Sequence, residues 1–191
     1  MNPTHNRELY FATSNPHKFG EAKPILAASD IIILHLPFTH NEIRSDSLEE
    51  IALEAVSAAF SKLKKPVFVE DTGLFIHALN GFPGTYSAWV QKKIGNDGIL
   101  RLLSDTSASE RLAVFRTAIA YADKGGKTKT FVGECAGSIS LKIRGKGGFG
   151  YDSIFIPDGH TLTFAENVSL KNNLSHRYKS LRLFAGYYLS M

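Results

Sequence analysis

The chain has 191 residues, 43% of them hydrophobic and 21% charged, with a formal charge of +4. This composition excludes a disordered chain, provides for one buried core, and holds no apolar run long enough to span a bilayer. Cys135 is the only cysteine, which excludes an internal disulfide or a cysteine-built zinc cluster.

The opening residues, MNPTHNRELYFATSN, lack the basic and then apolar layout of a secretory signal, so a cytoplasmic protein is expected. Leu9 to Ala12 reads as a first strand. Thr13-Ser14-Asn15 supplies capping side chains, and Pro16 suits a first helical position. The helix is expected to reach about Ala28, with Phe19, Ala22, Ile25 and Leu26 on one face. A polar turn feeding a helix start, with Lys18 in the first turn, is a candidate phosphate seat. Free N–H groups and a full positive charge would both face the anion.

Ile31 to Leu34 reads as a second strand, followed by a polar loop from Pro37 to Ser45 that holds His40 and Glu42. Ser47-Leu48-Glu49-Glu50 has the form of a capping box. The helix it opens should reach about Lys64, with Leu48, Ala52, Val56, Ala59 and Leu63 at helical spacing. Pro66 to Val69 is a short apolar strand. Glu70 and Asp71 are read as its end, with Thr72-Gly73 breaking it and Asn80 to Gly84 making a second break. Acids where a parallel strand ends face a ligand crevice. A strand alternates faces, so one of the two is the actor, and Asp71, beside Thr72-Gly73, is favoured.

Tyr86 to Ile94 and Asp97 to Leu103 are predicted helices, the second capped by Asn96. Arg111 to Tyr121 and Thr128 to Ile143 carry strand composition, joined at Asp123-Lys124-Gly125-Gly126 as a hairpin. Arg144 to Tyr151 is the most glycine-dense stretch, too aromatic for a linker. Ile154 to Ile156 is a short strand. His176 to Leu189 is the last helix, with Leu181, Phe184, Ala185 and Tyr188 inward. No repeat or linker divides the chain, so residues 1–191 are expected to be one domain.

Four stretches together resemble the inosine triphosphate pyrophosphatase family. They are Thr13 to Lys18; Val69 to Leu74 with Gly81 to Tyr86; Gly148 to Asp152; and Ser175 to Arg177. The resemblance implies an α/β fold, an elongated mixed sheet flanked by helices, with two lobes and the substrate cleft between them. It implies Mg²⁺-dependent hydrolysis of noncanonical purine nucleoside triphosphates (ITP, dITP, XTP) to the monophosphate and pyrophosphate, by a homodimer. It further implies that Thr13, Ser14, Asn15 and Lys18 hold the triphosphate, with Thr72 nearby. Asp71 would be the catalytic acid residue and a Mg²⁺ ligand, with Glu42 as the second ligand. Phe149, Gly150, Tyr151 and Asp152 would form the base site, and Lys171, His176 and Arg177 would contact the nucleotide. Two positions depart from the family pattern: Ala55 and Trp89 stand where relatives often carry cations. Lys62, Lys92 and Lys93 are candidates to compensate.

These residues suit that chemistry. Mg²⁺ needs only one or two carboxylates besides waters and phosphate oxygens, so Asp71 with Glu42 or Glu70 suffices. Asp71 can take a proton or hold the metal. A 6-oxo purine presents an acceptor at O6 and a donor at N1, and ATP reverses both. A donor such as Arg177 and an acceptor such as Asp152 therefore fit the first and leave unpaired groups with the second. Phe149 could stack on the base. Two other readings compete. The mild positive charge and the glycine-aromatic loop suit a nucleic-acid-binding domain, although no dense Lys/Arg cluster supports it. A nucleotide sensor without turnover is the other, suggested by Ala55 and Trp89.

Overall fold

The computed structural model describes residues 8–191, so the reading of the first seven residues lies outside it. β1 (Leu9–Ala12) leads through Thr13–Asn15 into α1 (Pro16–Ala27), which Asn15 caps and Pro16 opens, as expected. β2 is Ile33–Leu36, two residues later than predicted. The displaced residue, Ile31, closes the end of α1 instead. Asp30 adopts a left-handed conformation, and the Ile31 N–H donates to the Leu26 carbonyl at 3.1 Å.

α2 (Leu48–Leu63) starts at Ser47, whose Oγ accepts from the Glu50 N–H at 3.2 Å. The return half of the predicted capping box runs through another residue. The Ser47 N–H donates to Ser45 Oγ, and Ser45 Oγ donates to Glu50 Oε2 at 2.6 Å. After α2 the chain forms β3 (Val67–Ile76), which corrects the expected break. Glu70, Asp71, Thr72 and Gly73 lie within the strand. An unbroken antiparallel ladder to β5 (Leu112–Ala122) holds them extended. The parallel partner β1, by contrast, stops at the Phe11–Phe68 pair. The crevice that the strand-end rule anticipates therefore opens beyond the end of β1, along the middle of β3.

A 3₁₀ turn at His77–Leu79 and β4 (Pro83–Gly84) follow, with β4 pairing back on β3. α3 (Ser87–Leu102) is interrupted at Gly95, whose φ of 63° is not helical, where two helices were predicted to meet. Asn96 does not cap the second one. Its Nδ2 donates to Gly150 O (3.0 Å) and Ser153 Oγ (2.8 Å), tying α3 to the glycine loop. β6 (Thr128–Ile139) completes the hairpin with β5 and ends before the predicted Ile143. β7 is Phe155–Pro157. α4 (Val168–Leu174) was not predicted, and α5 (His176–Leu189) has the predicted ends.

The seven strands among the described residues form one mixed sheet in the order β2-β1-β3-β5-β6-β7, with β4 alongside β3. Period-two alternation along β3 divides the core. Phe68 packs toward α1 and α5, whereas Val67 and Val69 pack toward α2. A third cluster under α3, β7 and the following loop includes Leu74, Ile76, Phe115 and Phe164. The fold is thus the α/β mixed sheet with flanking helices that the resemblance implied.

One row across the sheet decides how closely α5 approaches. Thr72, Thr117 and Gly133 are direct cross-strand partners, so they share a face. A Cβ on Gly133 would sit 2.2 Å from the His176 carbonyl oxygen and 2.5 Å from the Ser180 nitrogen. Both are backbone atoms that cannot swing aside. Gly133→Ala is therefore expected to lift the start of α5 from the sheet and cost about 1–3 kcal/mol. Urea denaturation checks this, and an unchanged midpoint would show that α5 does not depend on the contact.

Candidate active site

A cleft of about 530 Å³ opens where β1 ends beside the middle of β3, a size suited to a small-molecule ligand. Every residue assigned to a site from the sequence lines it: Thr13, Ser14, Asn15 and Lys18; Glu42; Asp71 and Thr72; Phe149, Gly150, Tyr151 and Asp152; Lys171, His176 and Arg177. Ala55 and Trp89 line it as well. Lys62 and Lys93 are turned onto aromatic rings, at 5.2 Å from Phe38 and 5.7 Å from Trp89.

The turn before α1 is built differently from a simple anion seat. Thr13 Oγ1 accepts from the Asn15 N–H at 3.1 Å, and Asn15 Oδ1 accepts from the N–H groups of His17 (2.9 Å) and Lys18 (3.4 Å). Pro16 has no N–H, and the Phe19 N–H reaches the Asn15 carbonyl. The expected free N–H groups of the helix start are thus occupied. What faces the cleft is the exposed Ser14 and the Lys18 ammonium, which donates to the Glu70 carbonyl at 3.0 Å.

The floor of the cleft is a chain of buried ions. Arg177 donates from Nε to Glu70 Oε2 and from Nη2 to Glu70 Oε1, both at 2.8 Å. Arg177 and Glu70 are 1% and 8% exposed. Burial pushes the Glu70 carboxyl up, but Arg177 and Lys18 beside it outweigh that and hold it down at about 2. Arg177 also binds Glu21, which in turn accepts from Lys171 Nζ at 2.6 Å. Lys171 reaches Asp152 Oδ2 at 2.6 Å, and the same oxygen accepts from the Phe149 N–H at 2.7 Å. Glu21 was missed in the sequence. It lies three residues after Lys18 on the same helix, a spacing that puts both on one face.

This geometry changes what two residues do. Four of the contacts of Arg177 go to Glu70, Glu21 and Thr72, so its donors are engaged within the protein. Asp152 Oδ2 is likewise engaged, fixing the loop that carries Phe149. A Cβ on Gly148 would lie 2.1 Å from Asp152 Oδ2, and Gly148 has a positive φ of 69°; only glycine permits that turn. Tyr151 is buried and donates its hydroxyl to the Ser87 carbonyl at 2.8 Å. His176 is 1% exposed and stacks on Phe115 at 4.4 Å. Burial, Arg177 and Lys171 hold its imidazole well below the ordinary value, so it is neutral.

Asp71 projects to the opposite face of β3 from Glu70. Its Oδ2 is buried and has no hydrogen-bond partner among the described residues. Burial raises its carboxyl to about 6, Lys18 opposes the rise, and Glu42 across the cleft adds to it. No group of three or more histidine, cysteine or acidic side chains able to hold a metal exists among the described residues. The pair Asp71 and Glu42, with an orphaned oxygen, suits instead a hard cation that keeps waters and takes substrate oxygens.

Residues 9–187 match the Ham1 family. The chain is 48% identical over 182 residues to the dITP/XTP pyrophosphatase of Methanopyrus kandleri, covering 95% of this chain and 96% of that protein. It is 43% identical to the dITP/XTP pyrophosphatase of Thermococcus kodakarensis, with 94% and 96% covered. Among solved structures, a HAM1 protein from Coxiella burnetii superposes with a TM-score of 0.81 at 28% identity, over 97% of this chain and 100% of that one. The Staphylococcus aureus Ham1 protein gives 0.78 at 29%, over 95% and 98%.

The state of Asp71 has a stability consequence. Unfolded, it ionises at the ordinary carboxylate value; folded, at about 6. Between those values the folded state holds the extra proton, so this group lowers stability as the pH rises through the window. Asp71→Asn should therefore stabilise the protein near pH 8 by on the order of 2 kcal/mol, and by much less near pH 4. Thermal unfolding of both proteins at the two pH values tests this; equal melting temperatures near pH 8 would refute it.

Proposed function

The chain belongs to the Ham1 family, and we propose that it hydrolyses dITP, ITP and XTP to the monophosphate and pyrophosphate with Mg²⁺ as the metal. It is a hydrolase of nucleotide metabolism, as its kinship to dITP/XTP pyrophosphatases makes plain. The single observation that carries the mechanistic reading is the buried Asp71 Oδ2, without a hydrogen-bond partner among the described residues, in the cleft that Lys18 and Glu42 also line.

Asp71 and Glu42 hold the metal. Held there, the metal would supply positive charge to offset the phosphates and would make a nearby water more acidic. Asp71, holding the metal through its orphaned Oδ2, would also orient the attacking water beside it. Lys18, Ser14 and Thr13 bind the phosphate chain, with Asn15 fixing their turn and Thr72 beside them. Phe149, held by Asp152, supplies the face on which the purine stacks. Gly150 lets the chain approach, and Tyr151 anchors the loop to α3. The neutral His176 ring and the Lys171 and Arg177 cations close the floor. Arg177 and Asp152 select the base by fixing the shape and polarity of the pocket, since their own charges are already paired.

The same reading makes the enzyme a cytoplasmic homodimer acting on free nucleotides rather than on nucleic acid or a membrane. Among the described residues no helix is long and apolar enough to cross a membrane. Sedimentation velocity tests the dimer, and a monomer at micromolar concentration would remove it.

Incubation with ITP and Mg²⁺, followed by a pyrophosphate assay, is expected to show turnover. The rate with ATP should be lower by more than about tenfold, roughly 1.4 kcal/mol of barrier. Asp71→Asn should lose more than nine-tenths of kcat, a loss of about 1.4 kcal/mol or more. Binding of ITP without pyrophosphate release would establish a sensor in place of an enzyme.

Lys18→Ala separates the phosphate role from packing. It should weaken triphosphate binding strongly and leave nucleoside binding nearly unchanged, as calorimetry with ITP and inosine would report. Equal weakening of both ligands would place Lys18 among the structural residues only.

A further inference from the structure

We infer that His40 is a positioning residue: clasped to Glu54 of α2, it holds the Glu42 carboxylate over the cleft and thereby sets affinity for the divalent cation. The inference rests on the metal role proposed for Glu42.

Glu42 lines the cleft, yet makes no hydrogen bond or ion pair of its own among the described residues. Its place is therefore decided by the anchors of its loop. On the C-terminal side Ser45 is held twice. Its hydroxyl donates to Glu50 Oε2 at 2.6 Å, and its carbonyl accepts from Thr85 Oγ1 at 2.7 Å. On the N-terminal side the anchor is aromatic and polar. Phe38 packs against the cluster under α2. The His40 ring stacks on Phe38 with centroids 5.1 Å apart and planes 23° apart.

His40 Nε2 then lies 3.1 Å from Glu54 Oε2. Both atoms are buried and neither makes a hydrogen bond among the described residues, so this close approach is the one polar contact either has there. A buried imidazole nitrogen and a buried carboxylate oxygen with only each other for company make an exacting contact. Losing either leaves the other without a partner, and the loop gives way at that end. Glu42, two residues on, loses its fixed distance from Asp71. A carboxylate that must be recruited from a mobile loop binds a cation more weakly than one already in place.

The clasp stands outside the reacting atoms, so its removal should be felt in cation affinity more than in the chemical step. Four variants of the full-length protein test this: His40→Ala, Glu54→Gln, Glu42→Gln and the conservative His40→Gln, whose amide can still donate to Glu54. The readouts are Mn²⁺ binding, followed by the resonance signal of free Mn²⁺, the Mg²⁺ concentration giving half-maximal turnover of ITP, and the melting temperature.

His40→Ala and Glu54→Gln are expected to weaken Mn²⁺ binding and raise the Mg²⁺ requirement by roughly tenfold, as outer-shell losses do. kcat at saturating Mg²⁺ should change little, and His40→Gln should recover part of the affinity. Unchanged Mn²⁺ binding in His40→Ala, beside weakened binding in Glu42→Gln, overturns the clasp and keeps Glu42 as a ligand. Unchanged binding in Glu42→Gln overturns the metal assignment and the inference with it. A lower melting temperature with unaltered cation binding shows a structural tie only and also overturns it.

Discussion

Arg177 and Glu70 hold each other through two parallel hydrogen bonds at 2.8 Å, inside the protein and 107 residues apart in sequence. Neither charge could be buried alone. Removing one partner of such a pair costs about 3–5 kcal/mol, because the other charge is left without compensation. The fork lets β3 carry an ionised acid through its middle, and it seats α5 on the sheet. From Arg177 the chain of ions passes to Glu21, then Lys171, then Asp152, and ends at the Phe149 N–H. Lys18 joins at Glu70. The phosphate end and the base end of the cleft are thus braced by one connected set of charge-assisted bonds.

Adjacent acids acquire opposite properties because a strand turns its neighbours to opposite faces. Glu70 meets a guanidinium and is held near 2, ionised and structural. Asp71 meets no hydrogen-bonding partner at Oδ2 and is raised to about 6. The fold satisfies one and leaves the other in need of a partner. That unsatisfied oxygen is destabilising in itself, which is the pattern expected where binding supplies the missing interaction.

Small residues set the distances in this arrangement. Thr72 and Thr117 share a hydrogen bond at 2.8 Å across the strands, and Gly133 continues their row beneath the His176 carbonyl. With no Cβ there, the first turn of α5 lies close to the sheet, and Arg177 reaches Glu70 without extending into solvent. Gly148 does the same for the base loop, letting Asp152 fold under the backbone to hold Phe149.

Much of this was legible in the chain. The helix starts at Pro16 and at His176 rest on local capping and periodicity, and both came out at the expected residues. The site stretches were legible chiefly through their resemblance to a known family, with local capping and strand rules pointing only to the Thr13–Lys18 turn and to Asp71. What local rules misjudged was β3. Thr72-Gly73 looks like a break to a rule that counts neighbours in sequence, yet a ten-residue ladder with β5 holds it extended. Glu21 and the α4 helix that carries Lys171 went unnoticed for a related reason, since their partners lie far away in the chain. The sequence by itself determined most of the elements, and its resemblance to a known family pointed to the mixed sheet and to most of the residues that meet at the cleft. Only the tertiary structure decided which acid is paired and which is left free, because burial and long-range ion pairs have no local signature.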